Sequence, residues 1–140
     1  VDEALSLAWT EAEARSREAA FRRLLLIALM TEGAWGSVAV TAPAWIASLL
    51  ELGGAPVLGW VRACGGLVLL AVYLQIPGLL DPVNRRLGNI LGIGGRFVLA
   101  AFCLCLGGRF LWLAPLEGGL GLLLSILYFG LFRAVLMSRP

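Results

Sequence analysis

Residues 24–42 read LLLIALMTEGAWGSVAVTA and are followed at once by Pro43. At about 1.5 Å of rise per residue, a helix of that length crosses a hydrocarbon core of about 30 Å. Pro43 lacks the N–H that would continue the helix, so it ends or kinks the run at its boundary. Glu32 interrupts the apolar stretch and no small-residue cleavage site follows it, which argues for a membrane span and against a signal peptide.

One short apolar segment and three more spans lie downstream. PAWIASLLELGGAP, residues 43–56, is too short to span, and Trp45, Ile46, Leu49 and Leu50 recur at helical spacing. The pattern predicts a short interfacial helix ended by Gly53 and Gly54. Pro56 suits the first turn of a second span over about 56–76. PGLLDPVNRR then makes a turn in which Asp81 caps and Pro82 starts a third span over about 87–108. After RFLWLAP, a last span covers about 116–137. The predicted fold is therefore all-α, a four-helix transmembrane bundle.

Upstream of Leu24 the chain changes character. Asp2, Glu3, Glu11, Glu13 and Glu18 alternate with Arg15, Arg17, Arg22 and Arg23 among alanines, as in a water-exposed helix with Asp2 as its N-cap. Residues 1–23 are thus expected to form a cytoplasmic N-terminal helix whose narrow stripe of Leu5, Trp9 and Ala12 meets a cytoplasmic partner or the membrane surface. The division at 23/24 separates it from a transmembrane domain over 24–140.

Composition agrees with lipid as the solvent. Of the 140 residues, 60% are hydrophobic and 14% charged, and the mean hydropathy is +0.91. A soluble domain of this size could not hide so much apolar surface. The net charge of +2 comes from scattered arginines with no basic stripe, which argues against nucleic acid as a partner. Histidine is absent, so His-ligated haem or copper and Ser-His or Cys-His nucleophile pairs are excluded. Cys64, Cys103 and Cys105 form no CxxC, and they read as small core residues with no metal to hold.

Arginines set the expected orientation. Arg15, Arg17, Arg22, Arg23, Arg85, Arg86, Arg133 and Arg139 fall on one side, against Arg109 on the other. Positive charge stays cytoplasmic, which places both termini in the cytoplasm of a bacterial inner membrane. Trp45, Trp60 and Trp112 then mark the opposite interface.

Charges inside the spans need partners, because each costs at least a few kcal/mol on insertion scales. Glu32 lies about 12 Å from the inner end of its span and Arg96 about 13 Å from the inner end of its own, so the two levels match and a buried ion pair is predicted. Arg62, about 9 Å below the outer surface, is placed to snorkel outward or reach Glu51. With Trp45 and Trp60 it makes a candidate outer-leaflet site for a quinone or lipid headgroup. GNILGIGGR, residues 88–96, is no nucleotide loop: Phe97 stands where GxGxxG needs glycine, and no strand precedes it. Gly88 and Gly92, with Gly65 and Gly66, read as helix-packing positions, and Gly33, Gly36 and Ser37 give the first helix a similar small face.

The first helix ending at a proline, the Trp-Ile-x-x-Leu-Leu segment closing in LGG, and VRACGGLVLLAVYL from Val61 to Leu74 form one set of features. Together with the turn of Asp81, Pro82 and Arg86 and the IGGRFVLAAF of the third helix, that pattern resembles the DoxX-like family of small four-helix bacterial membrane proteins. The resemblance covers about Leu24 to Met137. It implies a subunit of a quinone-linked membrane oxidoreductase and brings no catalytic residues with it.

The leading expectation is an accessory integral membrane subunit of a larger respiratory or photosynthetic electron-transfer complex. It would pack against lipid and partner subunits, be non-catalytic on its own, and bind no cofactor through its own ligands. A quinone-reactive DoxX-like subunit, with quinone, pigment or lipid as the bound group, is the alternative. A small transporter or channel using Glu32 and Arg96 ranks third, because there is no clear internal repeat.

Overall fold

A computed structural model describes residues 2–53 and 57–137, with side chains from Glu11 onward. Its elements are α1 (Asp2–Thr41), α2 (Pro43–Leu49), α3 (Val57–Leu80), α4 (Arg86–Leu106), a 3-10 turn (Gly108–Trp112) and α5 (Leu113–Met137). There is no strand among the described residues. Four helices are long and apolar enough to cross a membrane, contributed by α1, α3, α4 and the 3-10 turn with α5.

Helix α1 runs unbroken through the change in composition at Arg23, for about 60 Å. No glycine or proline interrupts its charged half, and pairs one turn apart brace it: Glu11–Arg15 at 3.1 Å, Glu13–Arg17 at 3.3 Å and Glu18–Arg22 at 3.6 Å. Packing also begins before Leu24. Phe21 is fully buried and tilts against Tyr128, with ring centroids 5.2 Å apart.

Around Phe21, the inward stripe of α1 (Leu25, Ala28 and Leu29) meets Leu124, Tyr128 and Leu131 of α5 in the main core. On its other side α1 packs on α3, where Gly36 and Gly65 let the backbones close. A methyl group at Gly65 would sit 2.7 Å from the Ala39 Cβ and 2.9 Å from the Gly36 carbonyl oxygen, so only glycine fits. The expected packing role of Gly66 has no counterpart, since nothing lies within 4 Å of the position its Cβ would take.

Helix α4 completes a ring, packed on α5 and, less extensively, on α3. Its tightest contacts with α3 lie near the α3–α4 turn, Gly78 against Asn89 and Gly92 against Gln75, whereas nothing approaches Gly94 or Gly95. The two helices thus splay apart toward the end that carries α2. Pro77 lies within α3, which continues to Leu80 beyond the predicted end near 76. The turn after it leaves Gly78 without its normal partner, because the fourth residue on is Pro82. Asn89 Nδ2 donates to the Gly78 carbonyl instead, at 3.2 Å.

Helix α2 starts with Pro43 in its first turn and closes at Leu50, earlier than Gly53 and Gly54. Leu52 N–H donates to Ala47 O at 2.8 Å and Glu51 N–H to Ser48 O at 3.2 Å, a Schellman closure. The left-handed position, usually glycine, is occupied by Glu51 at φ 57°. Helix α4 stops at Leu106, ahead of the predicted 108, because Gly107 and Gly108 both take positive φ, 66° and 56°.

Outside the ring the surface is hydrocarbon-like. Met30, Trp60, Val98 and Phe129 are each about seven-tenths exposed, an arrangement suited to lipid contact and unsuited to water.

Candidate functional site

The buried faces of three helices bring three charges to one level. On α5, Glu117 belongs to the stripe Glu117, Gly121, Leu124, Tyr128, Leu131, spaced at three and four residues. On α4, Arg96 lies on the stripe of Asn89, Ala100 and Cys103. On α1, Glu32 continues the stripe of Phe21, Leu25, Ala28 and Leu29. Gly121 lets α4 come close one turn from Glu117: a methyl group there would lie 3.4 Å from Arg96 Cβ and 3.3 Å from the Phe97 ring.

Arg96 Nη1 holds both carboxylates. It is paired with Glu32 and reaches Glu117 Oε2 at 3.3 Å. Arg96 is 3% exposed, and its Nε and Nη2 are buried without a hydrogen-bond partner among the described residues. The Cα traces of α1 and α4 do not approach one another, so the Glu32–Arg96 pair spans the diagonal of the ring.

These charges form the polar part of a cavity of about 800 Å³ inside the bundle. The rest of its wall is mostly apolar, from Ala28, Ala39, Val61, Val68 and Leu120, with Trp35, Trp60 and Gln75 as further polar-tipped side chains. Leu74, Leu87 and Leu91 line it and are also more than three-fifths exposed, so the cavity opens sideways between the splayed α3 and α4. At the α2 end, Leu50, Leu52 and Phe110 line it.

A second ion pair sits near that end. Arg109, on the 3-10 turn, pairs with Glu51 at the end of α2, and both side chains are more than half exposed. The hydrogen bond from Arg109, and then its charge, hold the Glu51 carboxyl below its ordinary range. At the opposite end, Asn84 donates to Asp81 through its side chain and its backbone N–H, and these bonds lower the Asp81 carboxyl in the same way.

The residues singled out by sequence are thus distributed unevenly. Glu32 and Arg96 are in contact. Trp60 lines the cavity; Trp45 does not, but stacks on Trp35, which does, at 6.1 Å between centroids. Arg62 is exposed and lies off the cavity wall, and Glu51, offered as its partner, is taken by Arg109. Gly65, Gly88 and Gly92 line the cavity, and Gly66 does not. Gly88 has only ordinary clearance, 3.8 Å to the Leu74 carbonyl oxygen, and Gly92 faces the flexible end of Gln75. Cys64, Cys103 and Cys105 are free, and no cluster suited to a metal occurs among the described residues.

Sequence reasoning missed Glu117. It set the last span to begin at Leu116, which leaves Glu117 at the interface, whereas α5 begins at Leu113. Pro115 carried the signal, because proline is tolerated in the first turn of a helix and so marks a start before Leu116. No family model, curated protein or solved structure matches the chain.

Proposed function

We propose that this chain is a multi-pass subunit of a bacterial inner-membrane electron-transfer system that binds a small amphiphile, a quinone or a lipid of similar size, inside its own helix bundle. The observation that carries this reading is the cavity of about 800 Å³ with apolar walls and the buried Glu32–Arg96–Glu117 cluster. That volume lies in the range of small-molecule sites, which pair apolar linings with a few convergent polar groups. The opening between α3 and α4 gives a ligand dissolved in the bilayer a lateral route. The resemblance to DoxX-like proteins supports a quinone-linked setting. The binding centre is moved from Trp45, Trp60 and Arg62 to the three charges and Trp60.

Both termini lie on the cytoplasmic side in this reading, because the arginine-rich ends of α1, α4 and α5 share one end of the bundle. A second role, docking a cytoplasmic partner, is favoured by the front of α1, where Glu11, Glu13, Arg15 and Arg17 are exposed.

The test is purification from native-like bacterial membranes in mild detergent, solvent extraction and mass spectrometry of the bound lipids. A quinone or single lipid class retained near one per chain is expected, and it is lost in Arg96→Gln. Extraction of nothing beyond the bulk lipid profile would refute the binding role and leave the accessory, packing role as the better account.

A further inference from the structure

The polar atoms of the cluster differ in what can reach them. Arg96 Nε and Nη2 are sealed even from water, so they offer a ligand nothing. The acids are different. Glu117 Oε2 accepts from Arg96 Nη1 at 3.3 Å, whereas its Oε1 has no hydrogen-bond partner among the described residues and yet is not sealed. Glu32 repeats the pattern, with one oxygen paired to Arg96 and the other unpartnered and open. Glu117 is 8% exposed and lies on the inward stripe of α5, and both acids line the cavity, so the space these free oxygens meet is the cavity.

Other polar groups of the wall spend their donors locally. The Thr31 hydroxyl donates to the Ile27 carbonyl at 2.9 Å and Gln75 Nε2 to the Ala71 carbonyl at 3.3 Å, each within its own helix. What the wall keeps free for a ligand is therefore mainly oxygen acceptors. Charge adds a sign. One guanidinium against two carboxylates leaves a formal net charge of −1 when all three are ionised, and apart from Arg96 no cationic side chain lines the cavity among the described residues. An anionic head would add a second uncompensated charge inside a membrane span, and a neutral head would leave the first in place. An ammonium cancels it and donates to both acids, which reach the same Nη1 and so lie close enough for one head to bridge them. Trp35, one turn along α1 from Glu32, also lines the cavity and gives a cation an aromatic neighbour. The apolar remainder of the wall and the lateral opening suit a hydrocarbon tail, and do not suit a free inorganic ion.

We infer that the cavity selects a long-chain amine, an amphiphile with one primary ammonium head seated between the free oxygens of Glu32 and Glu117, while Arg96 holds the two acids in place. This rests on the amphiphile-binding reading and, of the ligands named there, takes the lipid and sets aside the quinone.

The experiment uses the full chain in phosphatidylcholine nanodiscs at about pH 8, where a primary amine is cationic. Three bromine-labelled probes of equal chain length, an alkylamine, an alcohol and an alkylphosphonate, are titrated. The saturable part of the quenching of indole fluorescence is read apart from the linear part due to partition into lipid. The amine is expected to bind about tenfold or more tighter than the alcohol, the order of a hydrogen bond to a charged group, and the phosphonate weakest of the three. Glu117→Gln, which removes one negative charge and keeps an oxygen acceptor, is expected to weaken amine binding about tenfold and leave the alcohol little changed. Glu32→Gln predicts the same and serves if the first variant does not fold. Alcohol or phosphonate binding as tight as the amine, or an amine affinity unmoved by both substitutions, overturns the ammonium inference and leaves the amphiphile site standing. Saturable quenching by none of the three overturns both.

Discussion

Two arginine–glutamate contacts of this protein have the same chemistry and opposite surroundings. Arg96 meets Glu32 and Glu117 at the wall of an internal cavity, with the guanidinium 3% exposed. Arg109 meets Glu51 at the α2 end of that cavity, with both side chains more than half exposed. Water and lipid headgroups can replace either partner at the rim, so the Arg109–Glu51 contact adds little to stability. No solvent can do so at the cluster. There the charges were stripped of hydration on folding, and removing one partner leaves the others buried and uncompensated. A contact of this kind is a poor way to gain stability and a demanding feature to keep, which is why the cluster, and not the rim pair, marks the site.

The sharpest break of the comparison is Arg96→Leu. It leaves two carboxylates facing an apolar cavity and is expected to cost about 3–5 kcal/mol, the range for breaking a buried pair. Thermal unfolding in mild detergent should show a large loss of melting temperature or no folded protein at all. The triple variant Glu32→Gln, Arg96→Leu, Glu117→Gln should recover much of that loss, since it removes the uncompensated charge along with the pair. A single-site Arg96→Leu protein as stable as the parent would mean that the cluster is hydrated and the cavity wet.

A smaller effect is expected from removing one acid. Glu117→Gln leaves Arg96 and Glu32 as a neutral pair, and the amide oxygen can still accept from the guanidinium. A change of about 1 kcal/mol or less, in either direction, follows from setting a lost charge-assisted hydrogen bond against the relief of two neighbouring carboxylates. Melting curves of Glu117→Gln beside Arg96→Leu in one detergent separate the two cases. Equal losses in both would show that Arg96 depends on two anions, with one insufficient.

Much of this organisation is legible in the sequence. Apolar run length and proline placement mark the spans, and Glu32 and Arg96 stand out because a charge in a span needs a partner. The rest depended on facts that local sequence does not contain. The end of α2 was assigned to Gly53 and Gly54 because glycine usually takes the left-handed position, yet Glu51 takes it. Its side chain is thereby drawn to Arg109, which is remote in sequence. The division at 23/24 follows the charged residues and leaves Phe21 outside the bundle, but a helix has faces, and that ring lies on the inward one. A cavity is harder still. Gly65 and Gly66 are adjacent and chemically identical, and only the approach of α1 makes the first a contact and leaves the second open.

Glu51→Gly sharpens the rim side of the comparison. It releases the left-handed strain on a residue with a Cβ and removes the carboxylate that Arg109 holds. Because the pair is exposed, the backbone relief is expected to match or outweigh its loss, shifting the melting temperature upward or not at all. Glu51→Ala keeps the strain and loses the pair, so it should melt lower than Glu51→Gly. The reverse order would show that a Cβ at position 51 carries no left-handed strain.

The smallest effect is a dependence on acid. Glu51 and Asp81 lie outside the spans, and both carboxyls are lowered from their ordinary values, 4.5 and 3.8, by hydrogen bonds to Arg109 and Asn84 respectively. A group lowered in the folded state binds its proton more readily when unfolded. The stabilisation it gives is therefore complete above the ordinary value and fades as the pH falls through the lowered one. Between about pH 5 and pH 3 the melting temperature should decline, and the double variant Glu51→Gln, Asp81→Asn should show a shallower decline while remaining slightly less stable at neutral pH. Both groups are at the surface, so the difference should shrink further in high salt. A difference that persists undiminished at high ionic strength would place the Glu51–Arg109 contact in a drier setting than its exposure indicates, and would erase the contrast with the buried cluster.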